Sequence, residues 1–195
     1  MPGPGGERSF SGTGTAMTLE TVGHAQVKCT QPATTGEYTG AKTASLAVTL
    51  TGCKLAATKE SCQSTATPGE VRIGCWGGKI GFTSDTAEGT TTNIAVGLEL
   101  GHEPTILTAQ CGAAKESLAV TGAVIGSLSP IDKMTLSEKL LLKATGGKPS
   151  PAQFEGAAPD TLLATCGTHA AEEAGLDGKT TLTSTAKLQV RAKVQ

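Results

Sequence analysis

A two-residue rhythm is the strongest constraint on what this chain can fold into. Its closing stretch, TTLTSTAKLQVRAKV, sets Leu182, Ala186, Leu188, Val190, Ala192 and Val194 on one side. Thr181, Thr183, Thr185, Lys187, Gln189, Arg191 and Lys193 fall on the other. Side chains alternate between the two faces of a strand, whereas a helix repeats every 3.6 residues, so this pattern reads as a long strand with one dry and one wet side. The rhythm recurs in ESLAVTGAVIGSL, which aligns Leu118, Val120, Val124 and Leu128. Gly122 and Gly126 lie between them and mark a bulge or a close backbone approach. MTLSEKLLLKAT aligns Met134, Leu136, Leu140 and Leu142 and is read as strand, although Glu138 breaks its apolar face.

Further strands are expected at 16–22, 26–30, 43–51, 70–73, 79–83, 93–100, 105–110 and 161–165. Turn residues separate them: Gly36, Pro68–Gly69, the SDTAEGT stretch, Gly146–Gly147 and Asp177–Gly178. Gly77–Gly78, between VRIGCW and KIGF, reads as a tight hairpin. Short strands at this spacing predict an all-β fold, an antiparallel β-sandwich or barrel, disulfide-stapled. One β-domain is expected over residues 16–195. Residues 1–15 form an N-terminal segment that is flexible or ordered by a partner. GKPSPAQ resembles a linker, but the last strand needs partners, so no boundary is drawn there. SLAVT occurs twice, at Ser45–Thr49 and Ser117–Thr121, too short a match to make a repeat.

Aromatic residues make up only 3% of the chain. The core must therefore come from Val, Leu, Ile and Ala, each of which buries little area, and covalent help is expected. Cys29, Cys53, Cys62, Cys75, Cys111 and Cys166 are an even set with no CxxC, and none lies near a histidine at zinc-like spacing. His24, His102 and His169 are far apart. Disulfides are the expected use, and no metal site is. Six cysteines allow 15 pairings. Cys53 and Cys62 flank the polar loop LAATKES, and a hairpin return would join them, closing a loop worth roughly 2.5–3 kcal/mol. The other four are left open by the residues alone.

Oxidised cysteines imply an oxidising compartment, hence a secreted or cell-surface protein. The opening MPGPGGERSF has no basic n-region and no apolar h-region, so a leader is expected to have been removed. No run approaches the 18 apolar residues of a membrane helix, and the net charge is −1. Neither membrane insertion nor nucleic-acid binding is expected.

A series of stretches resembles a family of predicted exported bacterial proteins of unknown function. The series is TGEYTGAKT, LTGC ending at Cys53, GEV, VGLEL, QCG, VTGAVIG, DKMT, LKATGGKPSPAQFEG and AGL followed by TLTSTAKLQVR. It covers nearly the whole chain, from about residue 9 to 195. The resemblance implies export and an all-β fold, and no activity. In that family the matches to Cys29, Cys53, Cys62 and Cys111 are usual, while Cys75 and Cys166 depart together. The resemblance thus implies that Cys29 pairs with Cys111, and Cys75 with Cys166.

Catalytic signatures are weak. STAK (Ser184–Lys187) matches SxxK, but on a strand the two side chains point to opposite faces. ELGHEPT groups Glu99, His102 and Glu103, which read as a polar strand end before Pro104. Asp85 and Glu88 could offer loop oxygens to Ca²⁺ but are too few. Glu172–Glu173 read as a solvated edge. Trp76, Tyr38, Phe10, Phe82 and Phe154 are too few for a stacking platform, and Trp76 is expected in the core against a Cys75 disulfide. Thr181, Thr183 and Thr185 form a row that could bind ice or polysaccharide, with wet-face β-propensity the plainer account. No catalytic residue and no cofactor is assigned. The reading is a non-enzymatic secreted or cell-surface structural, adhesive or assembly module. Its partners would be other copies or other surface components, with Phe10 as the anchor of contacts between chains made by residues 1–15. The alternative is a secreted ligand-binding domain for a small molecule or polysaccharide, with a hydrolase less favoured.

Overall fold

The computed structural model describes residues 8–83, 95–101 and 104–190. Its strands in chain order are β1 (Ser9–Gly14), β2 (Met17–Thr21), β3 (Gln26–Cys29), β4 (Gln31–Glu37), β5 (Thr43–Thr51), β6 (Lys54–Leu55), β7 (Cys62–Gln63) and β8 (Val71–Thr83). They continue as β9 (Ala95–Gly101), β10 (Leu107–Cys111), β11 (Glu116–Ser129), β12 (Thr135–Leu142), β13 (Ala144–Thr145), β14 (Lys148–Pro149), β15 (Leu162–Cys166) and β16 (Glu172–Leu188). All pairings are antiparallel, and no helix occurs among the described residues.

The pairings close on themselves twice. One circuit runs β16–β1–β4–β5–β8–β9–β11–β12 and returns to β16. The other runs β16–β2–β3–β6, crosses to β7 by the hairpin contacts Lys54↔Ser61 and Cys62 N–H to the Cys53 carbonyl, and returns by β10–β11–β15. The circuits correspond strand for strand. β1 continues into β2, β3 into β4, β5 into β6, β7 into β8 and β9 into β10, while β12 and β15 share one position and β11 and β16 run through both. The molecule is therefore an up-and-down barrel of eight staves in two tiers, with six staves broken at a waist. Consecutive staves are neighbours, and the last pairs with the first, which removes the exposed edges of an open sheet.

β11 changes partners at the waist between Gly122, opposite Leu162, and Ala123, opposite Gly101. Gly122 has φ +101°, and a Cβ there would lie 2.0 Å from the Thr161 carbonyl oxygen, so the predicted close approach is real. The upper tier is filled by Leu46, Val48, Leu98, Leu100, Leu140 and Leu182. The lower is filled by Met17, Leu19, Val27, Leu118, Val120 and Leu162, around an apolar cavity of about 30 Å³. The segment joining β12 to β15 passes outside, where Phe154 bridges to Thr83.

Several expectations need correction. Gly77–Gly78 is no turn, because β8 runs straight through it and neither glycine has the positive φ that a two-residue hairpin demands. A Cβ on Gly78 would meet Leu98 Cδ1 at 2.8 Å, so this glycine makes room in the interior. Gly36 and Asp177–Gly178 likewise lie within β4 and β16. The proposed boundary at residue 15 cuts through the barrel wall. β1 sits between β16 and β4, and Phe10 is 5% exposed within its own chain's core, packed over Gly36. Phe10 is thus no anchor between chains: residues 9–14 find their hydrogen bonds on both sides inside the barrel. Residues 1–7 lie outside the described residues.

Candidate functional site

Four cysteines form one lateral row across four adjacent staves. Lys28 faces Lys54, which sets Cys29 opposite Cys53. Lys54 faces Ser61, which sets Cys53 opposite Cys62, and Cys62 faces Cys111. All four are buried, Cys53 and Cys62 completely. The bonds are Cys29–Cys53 and Cys62–Cys111. They flank the hairpin β6–β7, whose strands are two residues each, and clamp it to β3 on one side and to β10 on the other.

The expected Cys53–Cys62 bond is therefore not formed, although the hairpin that motivated it is. Joining the two middle members would strand the outer pair, whereas two outward bonds oxidise all four. The Cys29–Cys111 bond implied by the resemblance is excluded by distance. The two stand three strand spacings apart, about 14 Å along the wall, against a Cα separation limit of about 7 Å. Cys166 is a free, half-buried thiol, so the Cys75–Cys166 bond is not present either. The two lie on different tiers, Cys75 on β8 above and Cys166 on β15 below. Burial pushes the Cys166 thiol up, and Glu172 and Glu116 reinforce the shift, which disfavours the nucleophilic thiolate. The Cys75 side chain lies outside the described residues, so a disulfide beneath Trp76 is not in view; Trp76 itself is buried in the core.

The second constellation is inside the upper tier. Tyr38, directly after β4, donates its hydroxyl to Glu138 Oε2 on β12 at 2.5 Å. Phe10 packs on the Tyr38 ring, with centroids 5.0 Å apart and planes inclined at 51°. Glu138 occupies an inward position opposite Leu182, on the same face as Leu140 and Leu142, which explains why it interrupts an apolar pattern. Its Oε1 is buried without a hydrogen-bond partner, as is Trp76 Nε1. Burial pushes the Glu138 carboxyl above the ordinary range, with the Tyr38 hydrogen bond opposing. Burial also raises the Tyr38 hydroxyl, assisted by the charge of Glu138, so Tyr38 keeps its proton. No signal within a few residues of Glu138 identifies its partner, which lies 100 residues away.

The remaining candidates are dispersed. Ser184 faces inward and is 9% exposed, while Lys187 is exposed, so SxxK chemistry has no geometry here. Glu99 is buried on β9 and lies 4.0 Å from Lys79. His102, Glu103, Asp85 and Glu88 lie outside the described residues. Glu172 is exposed and Glu173 half-buried. Glu172 Oε2 accepts the Gly23 N–H, while Glu173 faces Leu163 in the ladder between β15 and β16. No group of three His, Cys, Asp or Glu side chains able to hold a metal occurs among the described residues. On the outer wall of the upper tier, the register places Ser137, Thr183, Ser11 and Thr35 in one exposed row across four strands. The TxTxT pattern displays one strand's share of that surface. The chain matches no protein-family model, no curated protein and no solved structure.

Proposed function

We propose that this protein is a non-enzymatic structural or adhesive module that works outside the cytoplasm. The observation that carries the reading is the clamped hairpin: two cross-strand disulfides hold its two-residue strands in the wall. Such bonds persist in oxidising surroundings and not against a cytosolic thiol pool. Two disulfides are compatible with an extracellular protein, and no described helix is long and apolar enough to cross a membrane. A membrane barrel turns its apolar side outward. Here the described wall of the upper tier turns Ser11, Thr35, Lys139 and Thr183 outward and Leu46, Leu98, Leu140 and Leu182 inward, with Leu136 and Leu141 the exposed leucines of β12, a mainly polar outside that favours an aqueous setting.

The closed circuits disfavour assembly by strand addition, since the described barrel wall leaves no open edge and the separate β13–β14 pair has strands of only two residues. Adhesion by the hydroxyl-bearing outer face is the mode that remains. The cavity of about 30 Å³ is far below the roughly 150 Å³ that accommodates benzene, so a ligand-binding role gains no support from it. The test is to fractionate cells that produce the chain while trapping thiols by alkylation. The expected result is protein on the surface or in the medium with Cys29, Cys53, Cys62 and Cys111 unmodified. Recovery from the cytoplasm with those four alkylated would overturn the reading.

A further inference from the structure

The register makes the cysteine row more than two separate staples. Cys53 and Cys62, the middle members, belong to different disulfides yet face each other across the hairpin, with Cys62 N–H donating to the Cys53 carbonyl at 2.9 Å. Residues directly opposite in an antiparallel pair have Cα atoms about 4.5–5.5 Å apart, within the range a disulfide spans. A third bond is therefore geometrically available in the row, and it competes with the two that exist.

We infer that the row is a two-position redox latch: on reduction by a dithiol, one disulfide is lost and the survivor moves to Cys53–Cys62, releasing the hairpin from β3 and from β10. A dithiol thiolate attacks Cys29 Sγ, forming a mixed disulfide and expelling Cys53 as thiolate. Cys53 Sγ then attacks Cys62 Sγ, and the Cys62–Cys111 bond breaks with Cys111 leaving as thiolate. The second thiol of the reductant resolves the mixed disulfide on Cys29. One dithiol has become a disulfide, its two protons reside on Cys29 and Cys111, and one protein disulfide remains.

Loop length favours the shifted position. The present bonds close separations of 24 and 49 residues, whereas Cys53 and Cys62 are nine apart in sequence. Loop closure scales as the three-halves power of length, so once the wall loosens the short bond is favoured about fourfold over the first and about thirteenfold over the second. The Cys53–Cys62 bond lies wholly within the hairpin and holds nothing else, so the lower circuit opens between β3 and β10. The upper circuit contains neither disulfide and stays closed. The latch follows from the oxidised row itself and stands or falls independently of the surface role.

The test equilibrates the purified oxidised chain in dithiol buffers of stepped potential, then quenches in acid, alkylates, digests and identifies joined peptides by mass spectrometry. Lys54 and Lys59 permit cleavage between the two middle cysteines. The expected one-bond species carries Cys53–Cys62, with Cys29 and Cys111 alkylated, at about four times the abundance of a Cys29–Cys53 species and about thirteen times that of a Cys62–Cys111 species. A one-bond species dominated by Cys29–Cys53 or Cys62–Cys111 would overturn the latch, as would loss of both bonds with no one-bond species. The doubly substituted Cys29→Ser, Cys111→Ser chain provides a second arm. It is expected to form Cys53–Cys62 on oxidation, and persistence of those two thiols also overturns the proposal.

Discussion

The upper and lower tiers share a cyclic order and two unbroken strands, yet they are held together by different means. The upper tier is built from strands such as β5, nine residues, and β8, thirteen residues, whose ladders close the wall without a disulfide among the described residues. The lower tier closes through strands of two residues, and there the chain places both disulfides. The interiors differ as well. Above, a buried carboxyl is held by a tyrosine; below, the lining of the cavity is wholly apolar. The comparison teaches that a covalent bond is used where backbone pairing is too short to order the chain, since each ordered residue costs about 1–2 kcal/mol in backbone entropy.

The largest expected effect comes from breaking the clamps. In the chain-entropy account, loops of 24 and 49 residues correspond to about 3.5 and about 4 kcal/mol. Cys29→Ser with Cys53→Ser, or Cys62→Ser with Cys111→Ser, should therefore destabilise strongly and unevenly. Amide exchange should lose protection in β2, β3 and β10 while β4, β5, β8 and β9 retain it. Equal loss in both tiers would show that they unfold as one unit and that the contrast drawn here is only geometric.

A smaller effect is expected above the waist. Tyr38→Phe leaves both Glu138 oxygens without a donor and should cost about 1–3 kcal/mol. Glu138 also predicts an uncommon pH dependence. Its pKa is raised on folding, so its contribution to stability is fully present below the unfolded value near 4.5 and is lost as pH rises through the folded value. The loss proceeds at about 1.4 kcal/mol per pH unit across that window. Thermal melts of Glu138→Gln should lack this slope, and the difference from the wild type should widen as pH rises. Parallel curves would mean that the carboxyl ionises normally in the folded chain.

The smallest effect concerns the lower interior. Val120→Ile adds one methylene beside the cavity and should stabilise by up to about 0.8 kcal/mol. Denaturant midpoints would show whether that space is usable or whether the tier is already tightly packed.

Most face assignments were legible because they are local, but Met134 and Leu136, expected on one face with Leu140 and Leu142, are 52% and 44% exposed, since the register of β12 shifts between Thr135 and Ser137. Leu182 is buried, Thr183 exposed and Ser184 buried in the order the two-residue rhythm demands. The all-β antiparallel class also followed from the many short strands, whereas the eight staves and their meander order did not. The cysteine pairing was not legible, because it depends on three successive registers between strands whose offsets no local pattern encodes. Glycine misled for a related reason. Gly36 and Gly78 read as turns, but each vacates space for a large side chain, Phe10 or Leu98, brought from elsewhere in the chain. Glu138 could be flagged as an interruption, but not explained before Tyr38 was seen beside it.

The two unbroken strands have a mechanical consequence. β11 and β16 pass the waist unbroken, and apart from Gly122, whose φ is +101°, their strand backbone has little slack left to give. The other six staves cross it through joints, from the single residue between β3 and β4 to the long excursion between β12 and β15. A load applied along the barrel is thus borne first by two beams that flank the same stave, on one side of the cylinder. The opposite side, where the cysteine row lies, stretches before it resists. The molecule is stiff along one flank and compliant along the other, so tension on its ends bends it in a fixed direction.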